Sequence, residues 1–123
     1  MRMKIGVLGL QFDNVTMEQA LARARELLGG DHAAMVVTPN AEIAYEALKS
    51  DELRALLNSA DLMLPDGSGV VLAAKILKTP LRQKVAGIDF ADRLLGVLEE
   101  TDGKLYLLGS KPGIGELAAE KMR

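Results

Sequence analysis

The sequence predicts an α/β domain: a mostly parallel, Rossmann-like sheet with flanking helices. Three observations carry this. Short apolar runs alternate with stretches of helical period along the whole chain. Several of the runs are continuous, the pattern of strands buried on both faces. Each run ends at a polar, proline or glycine turn that opens onto a helix, and right-handed crossovers then make neighbouring strands parallel.

Ile5 to Leu10 is the first apolar strand, continuing through Gln11 and Phe12. Its apolar part is too short for a signal peptide and meets Gln11 and Asp13 at once. Asp13-Asn14 is a turn signal, and Thr16 with Gln19 forms a capping box for a helix carrying Ala20, Leu21, Ala24, Leu27 and Leu28 on one face. Gly29-Gly30 stops it. Ala33 to Val37 is the second strand, ending at Thr38-Pro39-Asn40, where Pro39 cannot continue a central ladder and Asn40 starts a helix from Ala41 to Leu48. Ser50-Asp51 restarts a short helix holding Leu53, Leu56 and Leu57. Asp61 to Leu64 is the central strand and stops at Pro65. Val70 to Leu77 is apolar nearly all round, which predicts a helix buried inside the domain. After the breaker Lys78-Thr79-Pro80 comes a basic connection, Leu81 to Gly87, with a short strand at Lys84 to Ala86. An amphipathic helix follows from Ile88 to Leu98, then a buried strand from Lys104 to Leu108, a glycine-rich turn from Gly109 to Gly113, and a helix from about Ile114. That helix reaches Arg123 without a stop signal, so the expectation is a single domain over 1–123 that is truncated at its C-terminus.

The bulk composition narrows the function classes. With 123 residues and 49% hydrophobic content the chain can build one real core. Aromatics are only 3%, too few for a base-stacking platform, and a net charge of -2 gives no field that gathers nucleic acid. There are no cysteines and one histidine, so thiolate and histidine metal sites are not expected, and the absence of cysteine fits a cytoplasmic protein. No apolar run approaches a membrane span.

Three predicted strand ends gather polar groups at one edge of the sheet: Thr38 and Asn40, then Asp66, then Ser110 and Lys111. Ligands of open α/β sheets bind at that edge. Asp66 is the first candidate, as an acid–base group in a crevice or as a cap on the next helix. The turns around Gly67 and Gly69 and from Gly109 to Gly113 can present N–H groups to a phosphate, with Lys111 adding positive charge. Neither is a P-loop or a dinucleotide fingerprint. Arg82 and Lys84 can neutralise a diphosphate or form a solvated basic patch, and Asp89 sits where a first-turn carboxylate favours a helix. Glu42 and Glu46 share a helix face without a metal-binding partner.

Five segments occur in an order and spacing similar to the WecG/TagA/CpsF glycosyltransferases: Asp13 to Thr16, Val37 to Glu42, Ala60 to Val71, Val85 to Asp89, and Leu107 to Gly113. The resemblance covers essentially the whole chain. It implies an inverting enzyme of bacterial cell-surface polymer synthesis, moving an N-acetylmannosamine-type sugar from a UDP donor to undecaprenyl-diphosphate-linked N-acetylglucosamine, without a metal or other cofactor. By that resemblance Asp66 is the base, and Thr38 and Asn40 position the sugar or the acceptor hydroxyl. Arg82, Lys84, Gly67, Gly69, Asp89, Gly109, Ser110 and Lys111 then serve substrate binding. The family carries Arg where this chain has Lys84, which keeps the charge and loses the bidentate fork.

Family catalytic domains continue past Arg123 and end in a membrane-associating segment. The chain is therefore expected to be the N-terminal part of such an enzyme, working at the inner face of the cell membrane. Two other readings stay open: a non-catalytic nucleotide-binding module of the same topology, and a dimerisation module whose uncovered sheet edge drives a homo-oligomer.

Overall fold

The computed structural model describes residues 4–109 and 111–122. The α/β class holds, but the sheet differs from the one predicted. β1 (Lys4–Val7) and β2 (Leu10–Asp13) form an antiparallel hairpin, while β3 (Val36–Val37) and β4 (Leu62–Met63) form a parallel pair. Among the described residues, parallel pairing is confined to β3 and β4.

The run from Ile5 to Phe12 is thus two strands, not one. Leu8 and Gly9 turn the chain with φ of 53° and 84°, as a two-residue hairpin of the twist-matched type demands at both positions. Gly9 takes that conformation without cost, whereas Leu8 does not. The turn is held from outside: Asn58 accepts the Gln11 N–H at 2.9 Å and donates from Nδ2 to the Gly9 carbonyl at 3.0 Å.

The helices start largely where their caps predict. α1 (Met17–Leu28) opens with the full capping box, Gln19 N–H to Thr16 Oγ1 and Thr16 N–H to Gln19 Oε1. Asn40 caps α2 (Ala41–Lys49) through the Ile43 N–H, and Ser50 caps α3 (Asp51–Asn58) through the Leu53 N–H. α4 (Ser68–Ile76), α5 (Gly87–Glu100) and α6 (Ile114–Met122) complete the order. α4 ends at Lys78 in the left-handed region, where Lys78 N–H bonds the Lys75 carbonyl and Thr79 N–H that of Ala74. This is a Schellman closure with lysine in the position glycine usually takes.

β4 is the central element. Met63 packs into one core with Val7, Leu10, Phe12, Ala44 and Val70. Its neighbours Leu62 and Leu64 turn the other way, into a second core with Val15, Ala20, Val85 and Phe90. Leu64 N–H bonds the Val37 carbonyl, and on the other side Met63 N–H bonds the carboxylate of Asp13, the fully buried last residue of β2.

Four further expectations are corrected. α4 is not buried all round: Val70 and Ala74 face the core, but Leu72, Ile76 and Leu77 are exposed, since only one side of α4 has a core to pack on. Lys104 to Leu108 is not a strand. It is apolar, but among the described residues no strand lies beside it to share a ladder, and Leu108 is 90% exposed. Lys84 to Ala86 is an extended link with one ladder-like bond, Val85 N–H to the Pro65 carbonyl at 2.9 Å. β3 is also only half-buried, because β4 covers a single edge of it.

Candidate functional site

The site lies where β3 and β4 end and three helices begin. β3 delivers Thr38 and β4 delivers Asp66, each one or a few residues past its strand. Buried Pro39 and Pro65 stop the strands just there. Three helix starts follow: α2 after Asn40, α4 after Gly67, and α5 after Ala86. The link into α5 is tied to the strand end by the Val85–Pro65 bond.

Glycines let these parts close on one another. Gly67 has φ 91° and ψ 154°, a conformation in practice restricted to glycine. A Cβ on Gly69 would fall 2.9 Å from Ala41 Cβ, so α4 packs its first turn directly against that of α2. A Cβ on Gly87 would fall 3.1 Å from Thr38 Oγ1 and 3.2 Å from Asp66 Oδ2. The hydroxyl and the carboxylate therefore converge over the first residue of α5.

Asp66 does not cap α4. The cap position belongs to Gly67, and no side chain bonds the first turn of that helix. α5 likewise starts without a side-chain cap. Among the described residues neither the Asp66 carboxylate nor the Thr38 hydroxyl has a hydrogen-bond partner, and both residues are half-buried. Asn40 is exposed and spends its Oδ1 on the Ile43 N–H, which leaves its Nδ2 for a ligand. The arrangement offers a proton acceptor, a hydroxyl, an amide donor and uncapped N–H groups at the positive ends of two helices.

The other predicted residues stand around this cluster or apart from it. Lys84 and Asp89 line a cleft of about 460 Å³ with Gln83, Asp92 and Arg93, next to the start of α5. Arg82 is exposed, and its backbone N–H is fixed by Asn14 Oδ1 at 2.7 Å. Gly109, Lys111 and Gly113 line a separate cavity of about 750 Å³ with Leu105, Tyr106 and α6, and Thr38, Asn40 and Asp66 take no part in it. Ser110 lies outside the described residues. Among the described residues no group of three His, Cys, Asp or Glu is placed to hold a metal ion, and no helix is long and apolar enough to cross a membrane. Sequence reasoning missed Gly87. Its signal was a glycine opening a helix with no conformational need for one.

Comparison with known proteins gives a consistent picture. A family model described as glycosyl transferase WecG/TagA/CpsF family matches residues 5–123. The chain is 33% identical over 117 residues to an N-acetylglucosaminyldiphosphoundecaprenol N-acetyl-beta-D-mannosaminyltransferase of Staphylococcus aureus (strain MRSA252), covering 94% of this chain and 46% of the relative. Proteins of the same name from strains NCTC 8325 / PS 47 and COL are 32% identical over the same coverage. The chain thus spans about half the length of the curated relatives it matches.

Proposed function

The chain belongs to the WecG/TagA/CpsF glycosyl transferase family, and on that premise we propose that it supplies the base-bearing part of an inverting sugar-transfer site. The reaction is transfer of N-acetylmannosamine from a UDP donor to the hydroxyl of undecaprenyl-diphosphate-linked N-acetylglucosamine. The relatives' name gives the acceptor and the sugar. The observation that carries the reading is the convergence of Asp66 Oδ2 and Thr38 Oγ1 on the start of α5, both without protein partners among the described residues.

In this reading Asp66 takes the proton of the acceptor hydroxyl as its oxygen attacks the anomeric carbon from the face opposite the leaving group. The new C–O bond forms as the bond to the diphosphate breaks, and the electron pair leaves on UDP. Thr38 and the Asn40 amide hold the reacting hydroxyl or the sugar. The uncapped first turns of α4 and α5 present N–H groups to the developing charge, with Lys84 and Arg82 nearby in the chain as cations. The parallel β3–β4 pair is the seed of the Rossmann-like sheet in this proposal, and Gly109 to Gly113 with Lys111 binds a further part of the donor. The protein then works on a lipid-linked acceptor at the cytoplasmic face of the membrane.

The test is amide NMR of this chain titrated with UDP-N-acetylmannosamine, with UDP-glucose as control. Saturable shifts at Thr38, Asn40 and Asp66 that are stronger for the mannosamine donor are the expected result. Equal response to both nucleotides would favour a generic nucleotide-binding module, and no response would remove the donor from this site.

A further inference from the structure

Gly87 has no backbone reason to be glycine. It is the first residue of α5, its φ lies outside the left-handed region, and glycine is among the poorest helix formers. What its missing side chain allows is close approach by its neighbours. A Cβ there would meet Thr38 Oγ1 at 3.1 Å, Thr38 Cβ at 3.2 Å and Asp66 Oδ2 at 3.2 Å. Contacts that short force the neighbours to give by a few tenths of an ångström. The backbone on both sides is fixed: Val85 and Pro65 are buried and joined by a 2.9 Å bond, so the side chains must move rather than the helix.

We infer that Gly87 is a positioning residue for the transfer proposed above, on which this inference rests: having no Cβ, it lets Thr38 Oγ1 and Asp66 Oδ2 pack closely against the first turn of α5 and so sets the place of both. Held there, the carboxylate meets the attacking hydroxyl of the acceptor with the proton facing Asp66 and the oxygen facing the sugar. A methyl group at 87 pushes the hydroxyl and the carboxylate out of line by a few tenths of an ångström. Misplacement on that scale acts on the chemical step more than on donor binding.

The test compares wild type, Gly87→Ala, Thr38→Ser and the double variant of the full chain. Each is assayed for transfer from UDP-N-acetylmannosamine to a short-chain lipid-diphosphate N-acetylglucosamine, and each is melted thermally. Gly87→Ala should lower kcat by at least about tenfold, with donor KM and melting temperature held. Thr38→Ser removes the methyl but keeps the hydroxyl, which can then turn aside, so the double variant should recover part of the loss. Wild-type turnover in Gly87→Ala overturns the inference and leaves the transferase reading standing. So does a loss matched by a fall in melting temperature, or strict additivity of the two changes. A wild-type chain that transfers no sugar defeats the transferase reading, and the inference falls with it.

Discussion

Asp13 Oδ2 accepts the backbone N–H of Met63 at 2.8 Å, with Asp13 wholly removed from solvent. The N–H points away from β3, where no further strand is present to receive it among the described residues. A carboxylate at the end of β2 stands in for the missing carbonyl and fastens the hairpin to β4.

Replacing Asp13 by alanine orphans that N–H and leaves a void. The expected loss is about 2–3 kcal/mol, against about 1 kcal/mol for Asp13→Asn, whose amide oxygen can still accept. Urea unfolding of the two variants measures the difference, and equal midpoints would show that the carboxylate carries no special weight.

Asn58 is the second fastening of the hairpin, with one bond to Gln11 N–H and one to the Gly9 carbonyl. Asn58→Ala should cost about 1–2 kcal/mol. It should also speed hydrogen exchange at Gln11 while leaving the amides of α2 protected.

Lys78 closes α4 at a φ of 63°, where a side chain is strained. Lys78→Gly relieves the strain, offset in part by the greater freedom of glycine in the unfolded chain. The expected net gain is about 0.5–1 kcal/mol. A lowered melting temperature would mean that the lysine makes a contact worth more than the strain.

Asp66→Asn removes the base and nearly nothing else. Turnover should fall by about 10²- to 10⁴-fold. Donor-induced NMR shifts and thermal stability should stay as in wild type, because no helix cap or protein hydrogen bond is lost. Retained turnover would make this a binding module.

What could be read from the sequence was what is decided within a few residues. Thr16 with Gln19, Asn40 and Ser50 announce helix starts because a cap bonds only three positions away. The Leu8–Gly9 turn stayed hidden because Leu8 takes a conformation its type disfavours, held by Asn58 from far along the chain. Lys104 to Leu108 has the composition of a strand, but pairing is a property of two segments, and composition reports on one. The site divided the same way. Thr38 and Asp66 stood out as polar residues at strand ends, whereas Gly87 gains its meaning only from what lies opposite it.

β4 sends alternate side chains into two separate cores. Two halves joined by one strand through its interior cannot slide or hinge past each other without tearing both. The Thr38–Asp66 cluster, set at the end of that seam, is thereby denied large motion of its own. In the transfer proposed above, adjustment to a lipid-linked acceptor would fall to the periphery, to the solvent-facing stretch around Tyr106 and to α6, which buries no side chain. A chain organised in this way holds its centre still and leaves movement to its margins.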